Sequence, residues 1–188
     1  MPASGIRGTH DIPLGSHLCM FYRQPTELLQ VTAAFLSAGL AEAELCLWIL
    51  PPPLTIPLVL DELSTHDLNG PVLQATKQLF ISSAEDWYGV GTFDVDDSLD
   101  RLADLPALAS QLGYGSVRAV GGPGRFTSIE SRQAFMRFER QATTLIAASP
   151  MIALCCYASI QSIATDMFDI MRAHPQALVR TQAGWASI

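Results

Sequence analysis

The sequence predicts an α/β domain of three layers, a mostly parallel sheet with helices on both faces. Apolar runs of strand length alternate along the chain with stretches of helical periodicity. The runs are continuous rather than alternating, as in Cys46–Leu50 and Ile152–Tyr157, the pattern of strands buried on both sides. Hydrophobic residues make up 49% of the 188 residues and charged residues 15%, which is enough apolar material for one large core.

The elements follow in order. Residues 1–16, with their glycines and prolines, read as a flexible lead-in, and residues 17–188 as one domain. Leu18–Tyr22 reads as a strand and Arg23–Thr26 as a turn. Thr26 is placed to cap a helix over Glu27–Ala41, and Glu27 suits the positive end of that helix. Leu28, Phe35, Leu36 and Leu40 give it a wide apolar face. Cys46–Leu50 is a strand stopped by Pro51, Pro52 and Pro53. A helix over 54–68 is broken by Asn69-Gly70-Pro71, and Leu79–Ser82 is a short strand. Asp96-Asp97-Ser98 opens helical sequence to about Leu112, interrupted at Pro106. Val117–Val120 is a strand that ends in the loop Gly121–Gly124. Thr127 and Glu130 have capping-box spacing, ahead of a helix with the stripe Phe135, Phe138, Ala142 and Leu145. Ile152–Tyr157 is a strand, and Ile163, Met167, Ile170 and Met171 mark a last helix closed before Pro175.

Composition excludes several function classes. The formal net charge is −7 and Lys77 is the one lysine, so a surface for direct nucleic-acid binding is not expected. No apolar run approaches the roughly 18 residues of a membrane span, and Met1–Gly15 has no signal-peptide character, so the protein is expected to be cytoplasmic and away from membranes. Cys19, Cys46, Cys155 and Cys156 all lie in apolar runs without a C-x-x-C pair. They read as reduced, buried thiols, in a fold that should survive reductant and chelator.

Parallel α/β sheets bind ligands at the carboxyl ends of their strands. A nucleotide-binding protein would place its phosphate loop after the first strand. Here the turn is Phe21-Tyr22-Arg23-Gln24-Pro25-Thr26-Glu27, with no glycine to fold round phosphates and no lysine to meet them. Glu27 would repel them. Val117–Gly122 and Met151–Ile160 contain no acid for magnesium, and prolines follow Cys46–Leu50, where a water-activating Glu could stand. ATP hydrolysis is therefore not expected, and no catalytic residue and no cofactor is assigned.

An ordered set of segments carries a family resemblance. His17-Leu18-Cys19-Met20-Phe21-Tyr22, Glu27-Leu28-Leu29, Phe35-Leu36-Ser37-Ala38-Gly39-Leu40 and Cys46-Leu47-Trp48-Ile49 resemble the MEDS domain. This is the sensory domain of methanogen, methylotroph and dichloromethane-responsive regulators. The resemblance continues at Glu85-Asp86-Trp87-Tyr88, Gly91-Thr92-Phe93-Asp94, Phe135-Met136-Arg137-Phe138-Glu139, Leu154-Cys155-Cys156-Tyr157 and His174-Pro175. It implies a RecA/KaiC-like fold without a functional P-loop, in which the strand of Cys155 and Cys156 neighbours that of Cys19. It also implies a sensory role beside a transcriptional or kinase partner. The sequence departs from the family pattern at Phe126, where tryptophan is expected, and at Ala43, where glycine is expected.

Candidate ligand-binding residues fall at or just past strand ends: Tyr22, Arg23, Trp87, Tyr88, Arg125, Phe126 and Tyr157. The aromatics suit an apolar pocket, and either arginine could hold a carboxylate or phosphate. The alternative reading is an aromatic plug with surface ion pairs. Cys19, Cys155 and Cys156 with His17 and His174 could form a metal or redox site, narrowed for a metal to His17, Cys19 and Cys155. Cys155 and Cys156 point to opposite faces and cannot both join it. Structural thiols are the preferred reading. His174 reads as a partner of its helix dipole, and Glu139 beside Arg140 as part of a solvated face. Two functions follow: a sensor of a small organic compound (a hydrocarbon or one-carbon derivative among the candidates) that signals to a regulatory protein or through a homodimer, and, alternatively, an interaction scaffold with no small-molecule ligand.

Overall fold

The structure is a computed structural model that describes residues 1–89, 93–123, 128–159, 164–182 and 184–188. Its strands are β1 (Ser16–Tyr22), β2 (Leu45–Leu50), β3 (Leu79–Ser83), β4 (Val117–Gly121), β5 (Met151–Ala158), β6 (Gln176–Thr181) and β7 (Gly184–Ser187). Its helices are α1 (Pro25–Ala41), α2 (Ile56–Ser64), α3 (Gly70–Ala75), α4 (Ala84–Tyr88), α5 (Val95–Gln111), α6 (Ile129–Ala147) and α7 (Ala164–Ala173). The strands form one sheet in the order β3-β2-β4-β5-β1-β6-β7, with every pair parallel except β6–β7. The predicted fold class is thus the observed one. Cys19 lies opposite Cys155 in the β1–β5 register, the neighbourhood that the family resemblance implies. No helix among the described residues is long and apolar enough to cross a membrane.

Alternation along the strands divides the core in two. Leu18, Met20 and Tyr22 of β1 face a layer with Leu28, Phe35 and Leu36 of α1 and Val59 and Leu63 of α2. Cys19 of β1 faces the other layer, with Leu102 and Leu105 of α5 and Phe135, Phe138 and Ala142 of α6. Residues 1–15 contain no helix or strand, yet Ile6 and Ile12 are buried in the first layer, so this lead-in is packed against the domain.

Several helix starts lie one or two residues from their predicted places, each for a local reason. α1 begins at Pro25, whose missing N–H would have had no helical partner, and Thr26 caps nothing. Glu27 accepts instead from the Arg23 backbone N–H at 2.9 Å. Asn69 belongs to a break but also caps α3, accepting from the Val72 N–H at 3.1 Å. Asp94 caps α5 by accepting from Asp96 and Asp97 at 3.0 and 3.1 Å. α5 then runs through Pro106 without interruption, because Leu102, Leu105 and Ala109 on both sides of the proline are buried. The capping box of α6 is formed by Ser128 and Ser131; the predicted Thr127 lies outside the described residues. The edge hairpin β6–β7 is an addition to the predicted set, short and mixed in polarity.

One buried ion pair joins α1, β2 and β4. The Arg118 guanidinium, fully buried on β4, donates through Nε to Glu44 Oε2 and through Nη1 to the carbonyls of Ala3 and Phe35 at 2.8 and 3.0 Å. It also lies 4.8 Å from the centre of the Phe35 ring. Gly39 makes room for this pair: a Cβ there would stand 2.5 Å from Glu44 Oε2 and 2.6 Å from Arg118 Nε. Ala43, in the turn that leads to Glu44, has φ of 56°, the left-handed conformation for which glycine is the ordinary choice.

Candidate functional site

The parallel strands β1 to β5 end along one edge, and the candidate residues distribute around it. α4 follows β3 without a break, because the Ser83 hydroxyl accepts from the Asp86 N–H at 3.0 Å and caps the helix. Trp87 and Tyr88, on this short helix, are both partly exposed. The Tyr88 ring packs on Phe93, Phe135 and Phe138 with centroids 5.5, 5.5 and 6.0 Å away. Its hydroxyl stands over Gly121, the last residue of β4, where a Cβ would be 3.2 Å away. Burial first, and then the nearby Cys155 and Glu139, push the Tyr88 phenol well above its ordinary pKa. Trp87 packs at the same layer, and its carbonyl accepts from Arg101 Nη1 at 3.3 Å.

Tyr157, near the end of β5, is buried in that layer, whereas Tyr22 is buried in the opposite one. Burial, followed by the nearby Cys156, pushes the Tyr22 phenol up to about 12. Arg23 is exposed. Trp87, Tyr88 and Tyr157 therefore share the α5–α6 side of the sheet, and Tyr22 lies on the α1 side. Arg125 and Phe126 fall outside the described residues.

A second constellation lies below the edge, between the sheet and α6 and α7. His17 enters it from β1, Cys155 from β5, Glu139 from α6 and His174 from the segment just after α7. Glu139, read from the sequence as solvated, is 1% exposed. Arg140 beside it is exposed, but Phe135, Phe138, Glu139, Ala142 and Ile146 occupy one face of α6. That spacing is the signal that could have placed it: Glu139 falls in the middle of the stripe. His174, read as a helix-end residue, is buried too, with Nδ1 2.8 Å from the carbonyl of Ile170.

The Glu139 carboxylate is the hub. Tyr157 donates its hydroxyl proton to Oε1. The Nε2 atoms of His17 and His174 lie 3.3 and 3.4 Å from Oε2. The Cys155 Sγ is 3.6 Å from Oε2 and 3.2 Å from His17 Nε2. His17 Nδ1 is 2.8 Å from Thr143 Oγ1, one helical turn past Glu139. Burial works to raise the Glu139 carboxyl, but the electrostatic pull of the neighbouring His174 and His17 outweighs it and holds it well below the usual carboxylate range. Burial lowers His17 despite the opposing pull of Glu139. Cys155 and Tyr157 are raised, first by burial and then by Glu139. Cys19, of the predicted metal set, is adjacent in register, but the converging donor atoms come from His17, Glu139, Cys155 and His174.

The seven-stranded, mostly parallel sheet with helices on both faces is an α/β fold that solved KaiC-like structures share. A KaiC-like protein from the hyperthermophilic archaeon Pyrococcus horikoshii OT3 superimposes with a TM-score of 0.66 at 12% identity, over 99% of this chain and 85% of that one. An uncharacterized P. horikoshii protein, solved in complex with an unknown peptide, gives a TM-score of 0.62 at 12% identity, over 94% and 83%. No curated protein matches the sequence. The family model of MEDS, the methanogen/methylotroph, DcmR sensory domain, matches residues 16–175, and the chain belongs to this family of sensory domains.

Proposed function

We propose that the protein is a non-enzymatic, cytoplasmic sensor that binds a small, largely apolar organic compound at the carboxyl edge of its sheet. The observation that carries this reading is the partial exposure of Trp87 and Tyr88 at that edge, beside the Phe93, Phe135 and Phe138 rings. Planar groups of this kind line apolar ligand sites. The turn that would hold phosphates, Arg23–Thr26, offers neither glycine nor lysine, and Glu27 is tied to the Arg23 N–H. A signal would pass by a population shift, with the ligand preferring one arrangement of α4 and its neighbours. Phe168 and Met171, 65% and 39% exposed and three residues apart on α7, offer an apolar surface for a regulatory partner.

Tryptophan emission tests the assignment. Trp48 is fully buried and Trp185 is 6% exposed, so Trp87 is the tryptophan that a ligand at this edge would touch. Titration of a panel of short-chain alcohols, aldehydes and halogenated hydrocarbons is expected to give a saturable change for at least one compound. Trp87→Phe should abolish the change. A saturable change that survives in Trp87→Phe would move the site elsewhere.

A further inference from the structure

We propose that His17, Glu139, Cys155 and His174 form a binding site for a divalent transition-metal ion of the zinc type. This inference is independent of the ligand at the strand edge. One donor atom from each of His17, Glu139, Cys155 and His174 lies within 4.8 Å of the other three; His17 Nε2, Glu139 Oε2, Cys155 Sγ and His174 Nε2 are the atoms that approach at the centre. Four of their separations are 3.2, 3.3, 3.4 and 3.6 Å. A tetrahedral ion with bonds of about 2.0–2.3 Å holds its ligand atoms about 3.3–3.8 Å apart.

The hydrogen bonds around the site turn both imidazoles toward one point. A carbonyl only accepts, so the Ile170 carbonyl fixes the proton of His174 on Nδ1. The Thr143 hydroxyl directs its proton to the backbone carbonyls of Ala173 or Glu139, and therefore accepts from His17 Nδ1–H. Each ring then presents the lone pair of Nε2 to the centre. Metal-bound histidines are held in this way, with the second ring nitrogen donating to an outer partner. The carboxylate is braced likewise, by the Tyr157 hydroxyl on Oε1.

Without a cation the centre is poorly satisfied. His174 Nε2 is buried and makes no hydrogen bond, although it lies 3.4 Å from Glu139 Oε2. Pairing both rings with that one oxygen would require two imidazolium ions with centroids 4.2 Å apart in the core. A divalent ion takes up both lone pairs, and the Glu139 carboxylate and a Cys155 thiolate balance its charge. The thiol proton leaves to water as the ion binds. Two nitrogens, one sulfur and one carboxylate oxygen suit zinc rather than magnesium or calcium, which favour oxygen. The preferred sequence reading, with Cys155 as a structural thiol and a fold indifferent to chelator, has no place for this ion; the alternative metal set of His17, Cys19 and Cys155 shares two of its four ligands.

Elemental analysis of the purified protein and cobalt(II) titration of the chelator-stripped wild type test the site. The expected result is close to one zinc or cobalt ion per chain, with the absorption of tetrahedral cobalt and a thiolate charge-transfer band. Cys155→Ala should lose that band. His174→Gln should weaken cobalt binding by more than about a hundredfold, since loss of even an outer partner costs 10–100-fold. Far-UV circular dichroism checks that the variants fold, and the wild-type titration needs no variant. A wild type that takes up neither ion overturns the proposal. So does uptake that persists undiminished in a His17→Gln/His174→Gln double variant, which would place the ion elsewhere on the chain.

Discussion

Glu44→Ala is expected to destabilise the protein by about 3–5 kcal/mol, the cost of leaving a buried charge without its partner. Arg118 has no exposed surface and Glu44 is 2% exposed, so water cannot replace the lost carboxylate. The remaining acceptors of the guanidinium are the carbonyls of Ala3 and Phe35, which carry no net charge. The double variant Glu44→Leu/Arg118→Met should lose much less, because both charges leave together. Urea unfolding of the three proteins measures this. A loss below about 1 kcal/mol in Glu44→Ala would mean that the pair is solvated in solution. The account also explains why residue 39 is a glycine, since any Cβ there would enter the space of the pair.

Phe135→Ala and Trp87→Ala should separate core from ligand surface. Phe135 is 1% exposed and packs on Tyr88, Phe93 and Phe138 with centroids 5.5, 5.3 and 5.8 Å away. Its truncation opens a cavity under α4 and α5 and should cost about 3–5 kcal/mol. Trp87 is partly exposed, and its truncation removes less packing, about 1 kcal/mol of stability. Its effect should instead fall on ligand affinity. Equal losses of stability, measured by urea unfolding, would make Trp87 a structural plug and favour the scaffold reading.

The fold was readable because its physics is local and repetitive. Continuous apolar runs at β2 and β5 announce strands covered on both sides, and the α6 stripe announces an amphipathic helix. The β6–β7 hairpin was not readable: Gln176–Thr181 mixes Ala177, Leu178 and Val179 with polar residues, and its partner Gly184–Ser187 is four residues long. An edge strand needs little apolar sequence, so it leaves little pattern. The strand-end aromatics could be located from strand order, but which face each one packs on depends on register. Register by one residue separates Tyr22 from Tyr157 and its layer. The buried centre was half readable. His17, Cys155 and His174 stood out as metal-ligand types, whereas Glu139 looked solvated because its neighbour Arg140 is charged. The periodicity that makes Phe135, Phe138 and Ala142 a stripe also carries Glu139 inward. His174 lies just beyond α7, and the β1–β6 pairing carries this segment back alongside the strand of His17.

Thermal melting of the wild type, with and without each member of two panels, tests the sensor reading most directly. One panel is Mg-ATP and related nucleotides, and the other is small organic compounds. A compound that binds the native state raises the melting temperature by mass action, by an amount set by its concentration over its Kd. The account predicts a concentration-dependent rise for at least one organic compound, lost in Trp87→Ala, and none for Mg-ATP. A saturable rise with Mg-ATP, accompanied by phosphate release and unaffected by Trp87→Ala, would contradict it.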